Sequence, residues 1–245
     1  MNARRSTLNA VAALALASSI VACSDCPDAF ELSEQLEVRP EERVVLTVPD
    51  GALRVIGRER SAQVEVVARG CRARTGARID VAGGSVRQIE VVAPHADVRV
   101  WVPAGAEIEI QHGSGDVEVR AVGPSIIATR GGDVRVEQVV GDVMVQAGPG
   151  TLYVREVVGD VRVLDGPGAL FVENVMGSAL IRDGSGGIHL RNIEGDVTVD
   201  GDGSGAIDAR GLGGALTVRA KVDDTRMIRW NDVAGGVRLP QPAAD

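Results

Sequence analysis

The stretch Gly132-Asp133-Val134-Arg135-Val136-Glu137-Gln138-Val139-Val140-Gly141-Asp142-Val143-Met144-Val145 decides the fold of this chain. Two Gly-Asp-Val triplets stand nine residues apart, each opening a run of β-formers. Gly159-Asp160-Val161 and Gly195-Asp196-Val197 repeat the triplet, and Gly150, Gly168, Gly177, Gly186, Gly205 and Gly214 hold the same register with weaker companions. A fixed short period predicts a stacked repeat rather than a globule with a private cleft.

Numbered from the glycine of each unit, positions three and five are apolar: Val134/Val136, Val143/Val145, Leu152/Val154, Val161/Val163 and Ile188/Leu190. Such pairs share one face of a strand, and position four points the other way. The units alternate in kind. One kind ends on an apolar residue at position eight (Val139, Val157, Val175, Ile193, Leu212), and the other ends in a turn (Gly148-Pro149, Gly166-Pro167, Gly184-Ser185). The true repeat is therefore a coil of about eighteen residues with two strands and two unlike corners. The expected fold is all-β, a single-chain β-solenoid whose coils add roughly 4.8 Å each.

Outward positions agree with that stacking. On one face position six reads Arg120, Glu137, Arg155, Glu173, Arg191, so opposite charges lie on neighbouring rungs. Position four of the same face reads Glu118, Arg135, Tyr153, Phe171, His189, which predicts a Tyr153–Phe171 stack. The regular units run over 115–222 within a solenoid domain of 36–240. Residues 36–111 alternate with period two, as in Val44–Val48 and Val98–Val102, and read as less regular opening strands of the same sheet system.

The first residues give an address. Arg4 and Arg5 precede the apolar run Val11–Ala22, which is too short to span a bilayer comfortably and reads as a signal-peptide core over 1–22. The run ends Ile20-Val21-Ala22-Cys23, which resembles a bacterial lipobox and implies cleavage before Cys23 and its diacylation. An ordinary secretory signal with an incidental Cys23 is the alternative. Two acyl chains anchor a protein stably without spanning the membrane. Ser24 after the cysteine implies sorting to the outer membrane, with the periplasmic or surface face left open. Residues 23–35 then read as a lipidated polar tether. With Cys23 acylated, Cys26 and Cys71 are left as an even pair in an oxidising compartment, and a disulfide is the expected pairing; two unpaired thiols are the alternative.

Removing Arg4 and Arg5 with the leader leaves 24 basic against 34 acidic residues, a net charge of −10, which argues against nucleic acid as a partner. Only five aromatics occur, Phe30, Trp101, Tyr153, Phe171 and Trp230, too few for a broad aromatic sugar platform.

Three motifs together, Val48-Pro49-Asp50-Gly51, Asp97-Val98-Arg99-Val100-Trp101-Val102-Pro103-Ala104-Gly105-Ala106 and the serial Gly-Asp-Val units, resemble a bacterial β-strand-repeat family of unknown function described as adhesin-like. The resemblance covers residues 40–220 or so. It implies a right-handed parallel β-helix-like solenoid, often exported or membrane-attached, and carries over no catalytic residues.

No nucleophile elbow or His-Glu-x-x-His is present, and His95, His112 and His189 are dispersed. Gly201–Gly205 is glycine-rich without a phosphate-binding lysine, and reads as a corner with one inserted residue. Asp165 and Asp183, one coil apart at position seven, with Asp202 at nearly the same corner, are the one candidate for chemistry. They are solvated turn residues, a Ca²⁺ site or an acid/base pair on a polysaccharide. The leading expectation is a lipid-anchored envelope surface, without cofactor or catalysis, that binds an extended polymer or protein. A polysaccharide lyase or hydrolase and a periplasmic partner of a signalling or assembly complex are the alternatives.

Overall fold

The computed structural model describes residues 29–39, 42–71, 77–83, 86–93, 95–200, 205–219 and 227–240. The chain opens with β1 (Phe30–Glu37), β2 (Arg43–Asp50), β3 (Leu53–Arg58), β4 (Gln63–Gly70), β5 (Arg78–Ala82), β6 (Val86–Val92) and β7 (Asp97–Pro103). It continues through β8 (Ile108–Ser114), β9 (Val117–Arg120), β10 (Ser125–Gly131), β11 (Val134–Val140), β12 (Val143–Gln146), β13 (Leu152–Val158), β14 (Val161–Leu164) and β15 (Leu170–Val175). It ends with β16 (Ala179–Arg182), β17 (Ile188–Ile193), β18 (Val197–Val199), β19 (Ile207–Leu212), β20 (Leu216–Val218), β21 (Ile228–Val233) and β22 (Val237–Arg238).

From β8 onward odd-numbered strands join one sheet and even-numbered strands the other, each with eleven strands in all. The pairs β8/β9 to β20/β21 make seven successive coils, every rung parallel to the last. The expected solenoid is therefore observed. The odd sheet fixes the coil length. Val117 pairs with Val134, 17 residues on, and Val134, Leu152, Leu170 and Ile188 follow at 18. Ile188 pairs with Ile207 at 19, the one-residue insertion expected at that corner.

Alternation builds the core. Each coil buries positions three and five of both strands and the position-eight plug, as with Val134, Val136, Val139, Val143 and Val145, then Leu152, Val154, Val157, Val161 and Val163. Each such side chain contributes about 1.5–3 kcal/mol when fully buried. The repeating glycine is needed where the corner closes. Gly132 sits at φ +105°, and a Cβ there would overlap the Gly115 carbonyl one coil below. The following Asp ties the coils together. Asp142 Oδ1 accepts the Asp160 N–H at 2.9 Å, Asp160 Oδ1 accepts the Ser178 N–H at 2.9 Å, and Asp196 Oδ1 accepts the Ala215 N–H at 2.8 Å. Asp116 and Asp133 do the same at the other corner, for Asp133 and Thr151.

The beginning departs from simple stacking. The coil order is β6/β7, then β2/β3, then β8/β9, so the second coil in space is laid down first in sequence. Beyond it β4 pairs antiparallel with β7, β1 antiparallel with β4, and β5 antiparallel with β6. Reversing direction ends the parallel stack and covers the first coil's open edges. Because β1 begins at Phe30, the last six residues of the tether expected over 23–35 lie in a strand. Phe30, Leu32 and Leu36 alternate and pack against the core, which places this segment in the sheet.

Candidate functional site

The odd sheet's outer face carries the predicted ladders in register. Glu137 pairs with Arg120 on one side and Arg155 on the other, and Arg155, Glu173 and Arg191 continue the column. Glu137 is 3% exposed among three guanidinium groups, at 2.8 Å from Arg155, 3.1 Å from Arg135 and 3.9 Å from Arg120. Burial pushes its carboxyl up, but the hydrogen bonds and charges of Arg155 and Arg135 outweigh that and hold it below its ordinary range. Beside it the rings of Tyr153 and Phe171 stack at 4.7 Å and 7°, as the spacing predicts. His189 extends the stack at 4.7 Å and 10°, and Arg135 closes the other end 4.9 Å above Tyr153.

Asp165 and Asp183 are one coil apart as expected, since Asp165 N–H donates to Arg182 O, but they are not solvated turn residues. They are 6% and 3% exposed and turned inward. Parity explains the correction: Val161, Val163 and Asp165 are alternate residues, so an inward position three makes position seven inward too. Asp165 Oδ1 accepts the Gly166 N–H at 2.9 Å and Asp165 Oδ2 is buried without a partner, while the Gly184 N–H lies beside the buried Asp183 carboxyl and opposes the upward push of burial. Burial is the main cause that pushes the Asp165 carboxyl up to about 7; the Gly166 hydrogen bond opposes it and the Asp183 charge adds to it. Burial raises Asp183 as well. Asp202 lies outside the described residues. Among the described residues no three His, Cys, Asp or Glu side chains cluster as a metal site. Among the described residues the pair offers fewer oxygens than the six to eight ligands Ca²⁺ takes, and both side chains are buried.

His112 sits lower in the same internal column, 5% exposed. Its Nε2 lies 2.9 Å from Gly51 O and its Nδ1 3.4 Å from Thr129 Oγ1, and burial pushes its pKa below the ordinary value. Ile108 and Ile110 share its parity, a signal in the sequence that marks it as internal.

A longer concave surface lies elsewhere, on the corner that leaves the odd sheet. Here one residue per coil takes a left-handed backbone: Ala121, Gln138, Glu156, Asn174, Asn192, Gly211 and Asp232, with φ from 53° to 65°. It tips the next residue, the position-eight plug, into the core. Asparagine, glycine and aspartate tolerate this conformation best, and four of the seven positions hold one of them. Asn192 Nδ2 donates to Asn174 Oδ1 at 3.0 Å along the column. Position nine then faces solvent, leaving Val140, Val158 and Met176 exposed at 66%, 48% and 56%. Between that ridge and the left-handed column runs a shallow groove of about 750 Å³ from Glu156 to Ala234. The position-eight plugs are legible in the sequence; the position-seven column before them is equally periodic but varied in type, and the groove beside it was missed.

No family model matches the chain and no curated protein does. The chain is similar to three solved bacterial proteins. The "putative adhesin" of Bacteroides fragilis NCTC 9343 is 14% identical, covering 86% of this chain and 97% of that one at a TM-score of 0.41. The "putative cell adhesion protein" of Clostridium sporogenes is 10% identical, covering 87% and 100% at 0.35. The "putative adhesin" of Parabacteroides distasonis is 12% identical, covering 86% and 97% at 0.32.

Cys71 is exposed just past β4. Cys23 and Cys26 lie outside the described residues, as does the leader. No helix among the described residues is long and apolar enough to cross a membrane.

Proposed function

We propose that this protein is an exported β-solenoid, lipid-anchored through Cys23 to a bacterial envelope membrane, the outer one by its Ser24, and that it works as a binding surface rather than as an enzyme. The observation that carries the binding reading is the corner groove. It runs across five successive coils, is flanked by exposed Val158 and Met176, and holds no nucleophile–base arrangement. An exposed apolar strip on so acidic a chain is a surface for a partner. The register-locked ladder of outward side chains on the neighbouring sheet makes a rigid support for an extended ligand, polymer or protein, such as an envelope assembly partner.

The register of β1 supports the Cys26–Cys71 disulfide. Phe30 pairs with Gly70, so Cys71 is next to that pair, and Cys26 precedes Phe30 by four residues, a reach of at most ~14 Å. The bond would fasten the lipidated end to β4.

One observation favours a glycan-active enzyme: Asp165 is poised at about 7, suited to a general acid. Its burial in the core weighs against it. Two experiments test the proposal. Blocking lipoprotein signal processing with a globomycin-type inhibitor should leave an unprocessed precursor; a soluble, correctly trimmed product under inhibition would refute the anchor. On a polysaccharide panel no activity is expected, and activity abolished by Asp183→Ala without loss of folding would overturn the binding reading.

A further inference from the structure

We infer that the corner groove takes an extended polypeptide segment with alternating basic and apolar side chains, lying parallel to the solenoid axis. This rests on the binding-surface reading and names the partner for that surface.

Charge comes first. The groove is lined by Glu156, Glu194 and Asp232, with Asn174 and Asn192 between them, and by no lysine or arginine. The same side chains are exposed, so their charges are not consumed inside the fold. Neighbouring arginines are held on the sheet face: Arg155, Arg191 and Arg210 pair there with Glu137, Glu173 and Asp208. A ligand that neutralises the groove must bring its own cations.

Length and spacing come next. The five corners from Glu156–Val158 to Asp232–Ala234 are four strand intervals apart, about 19 Å. An extended peptide advances about 3.3 Å per residue, so about six residues fill the groove. Running across the rungs, the peptide cannot add a strand to either sheet, so its backbone must be met by side chains. Asn174 and Asn192 do this. They share a single hydrogen bond, and each amide has a carbonyl and two N–H groups, so the pair keeps donors and acceptors for a peptide backbone. Gly211 continues the column without a side chain, and a Cβ there would lie 2.9 Å from Asn192 Oδ1, so the glycine leaves that oxygen accessible.

Apolar contact is the third element. Val158 and Met176 stand on neighbouring coils along one wall, with Glu194 next in line. A ligand side chain over Val158 or Met176 is apolar and one beside Glu194 basic. A second exposed apolar patch, Ile126, Met144, Leu164 and Leu180 on the even sheet, borders Arg162 and Arg182, and its one lining acid, Asp200, is paired with Arg182.

The test uses the full-length protein in detergent with two fluorescein-labelled decapeptides, one alternating lysine and valine, the other glutamate and valine. The Lys-Val peptide should bind with an affinity that falls at least tenfold on Glu194→Lys or on Met176→Ser. It should be unaffected by Leu180→Asp, and thermal midpoints should confirm that each variant folds. The Glu-Val peptide should not bind. Equal binding by Glu194→Lys, loss on Leu180→Asp, or preference for the Glu-Val peptide would overturn the inference. Envelope crosslinking separates the two levels of the claim. A partner captured from intact cells that tolerates Glu194→Lys and is not displaced by the Lys-Val peptide sinks this inference and leaves the binding surface standing; no captured partner on any face sinks both.

Discussion

A carboxyl in an apolar core destabilises its protein whenever it is ionised, and Asp165 and Asp183 place two on adjacent coils. The unfolded Asp165 loses its proton near its ordinary value of 3.8, whereas the folded one keeps it to about 7. The contribution to stability is therefore fully present below about pH 4 and is lost as pH rises to about 7. His112, held low by burial, works in the opposite direction, so the variant difference is the proper readout. Asp165→Asn should raise the thermal midpoint at pH 8, by a stabilisation on the order of 1 kcal/mol, with little gain at pH 4. An equal shift at both pH values would show that Asp165 is not protonated on folding. At the left-handed corner Glu156 occupies a backbone conformation that asparagine adopts more readily, directly below the Asn174–Asn192 pair. Glu156→Asn should stabilise by about 0.5–1 kcal/mol in denaturant titration. Single-residue roles were the least legible part of the sequence. Asp165 reads as a turn residue because Asp-Gly is common in turns; only the parity it shares with Val161 and Val163 shows that it faces inward.

At the scale of strands and corners the sequence was far more readable. Period nine, its splitting into two kinds of unit, and the Arg/Glu alternation all reappear as registered pairs, because a parallel coil superposes equivalent positions. Tyr153 over Phe171 is visible for that reason, and His189 belongs to the same column. The Gly-Asp corner also has a specific job. Each Asp accepts a backbone N–H of the next coil, as Asp160 does for Ser178, so Asp160→Ala should cost about 1–2 kcal/mol, measured by urea denaturation. Asp160→Asn should recover most of the loss, since an amide oxygen accepts the same bond. The opening strands were harder to read. Nothing in the alternation of residues 36–111 tells a parallel rung from an antiparallel one, so the order β6/β7 before β2/β3 and the reversal of β4 and β5 could not be foreseen.

The whole molecule is polar in construction. Its N-terminal end is closed by the antiparallel strands β1, β4 and β5, and the proposed lipid on Cys23 lies only seven residues before β1. The eleven strands of the odd sheet rise about 48 Å from that end. The groove occupies the coils from β13 to β21, the half remote from the anchor. On the proposed anchor, the closed base would sit at the membrane and the groove would be held away from it. Coil modularity should be testable. Deleting residues 159–176 removes one coil and should leave a cooperatively folding protein, less stable by that coil's own contribution and one coil–coil interface, and further because Arg155 then lies over Arg191. Deleting residues 159–167 puts odd-sheet sequence into the even sheet and should abolish the cooperative transition. The central claim is that the corner groove is where a partner binds. Photocrosslinking in intact cells from a reactive amino acid placed at Met176, beside the same probe at Leu180, tests it most directly. A discrete adduct from Met176 and none from Leu180 is the predicted result; adducts from Leu180 alone, or from neither position, would contradict it.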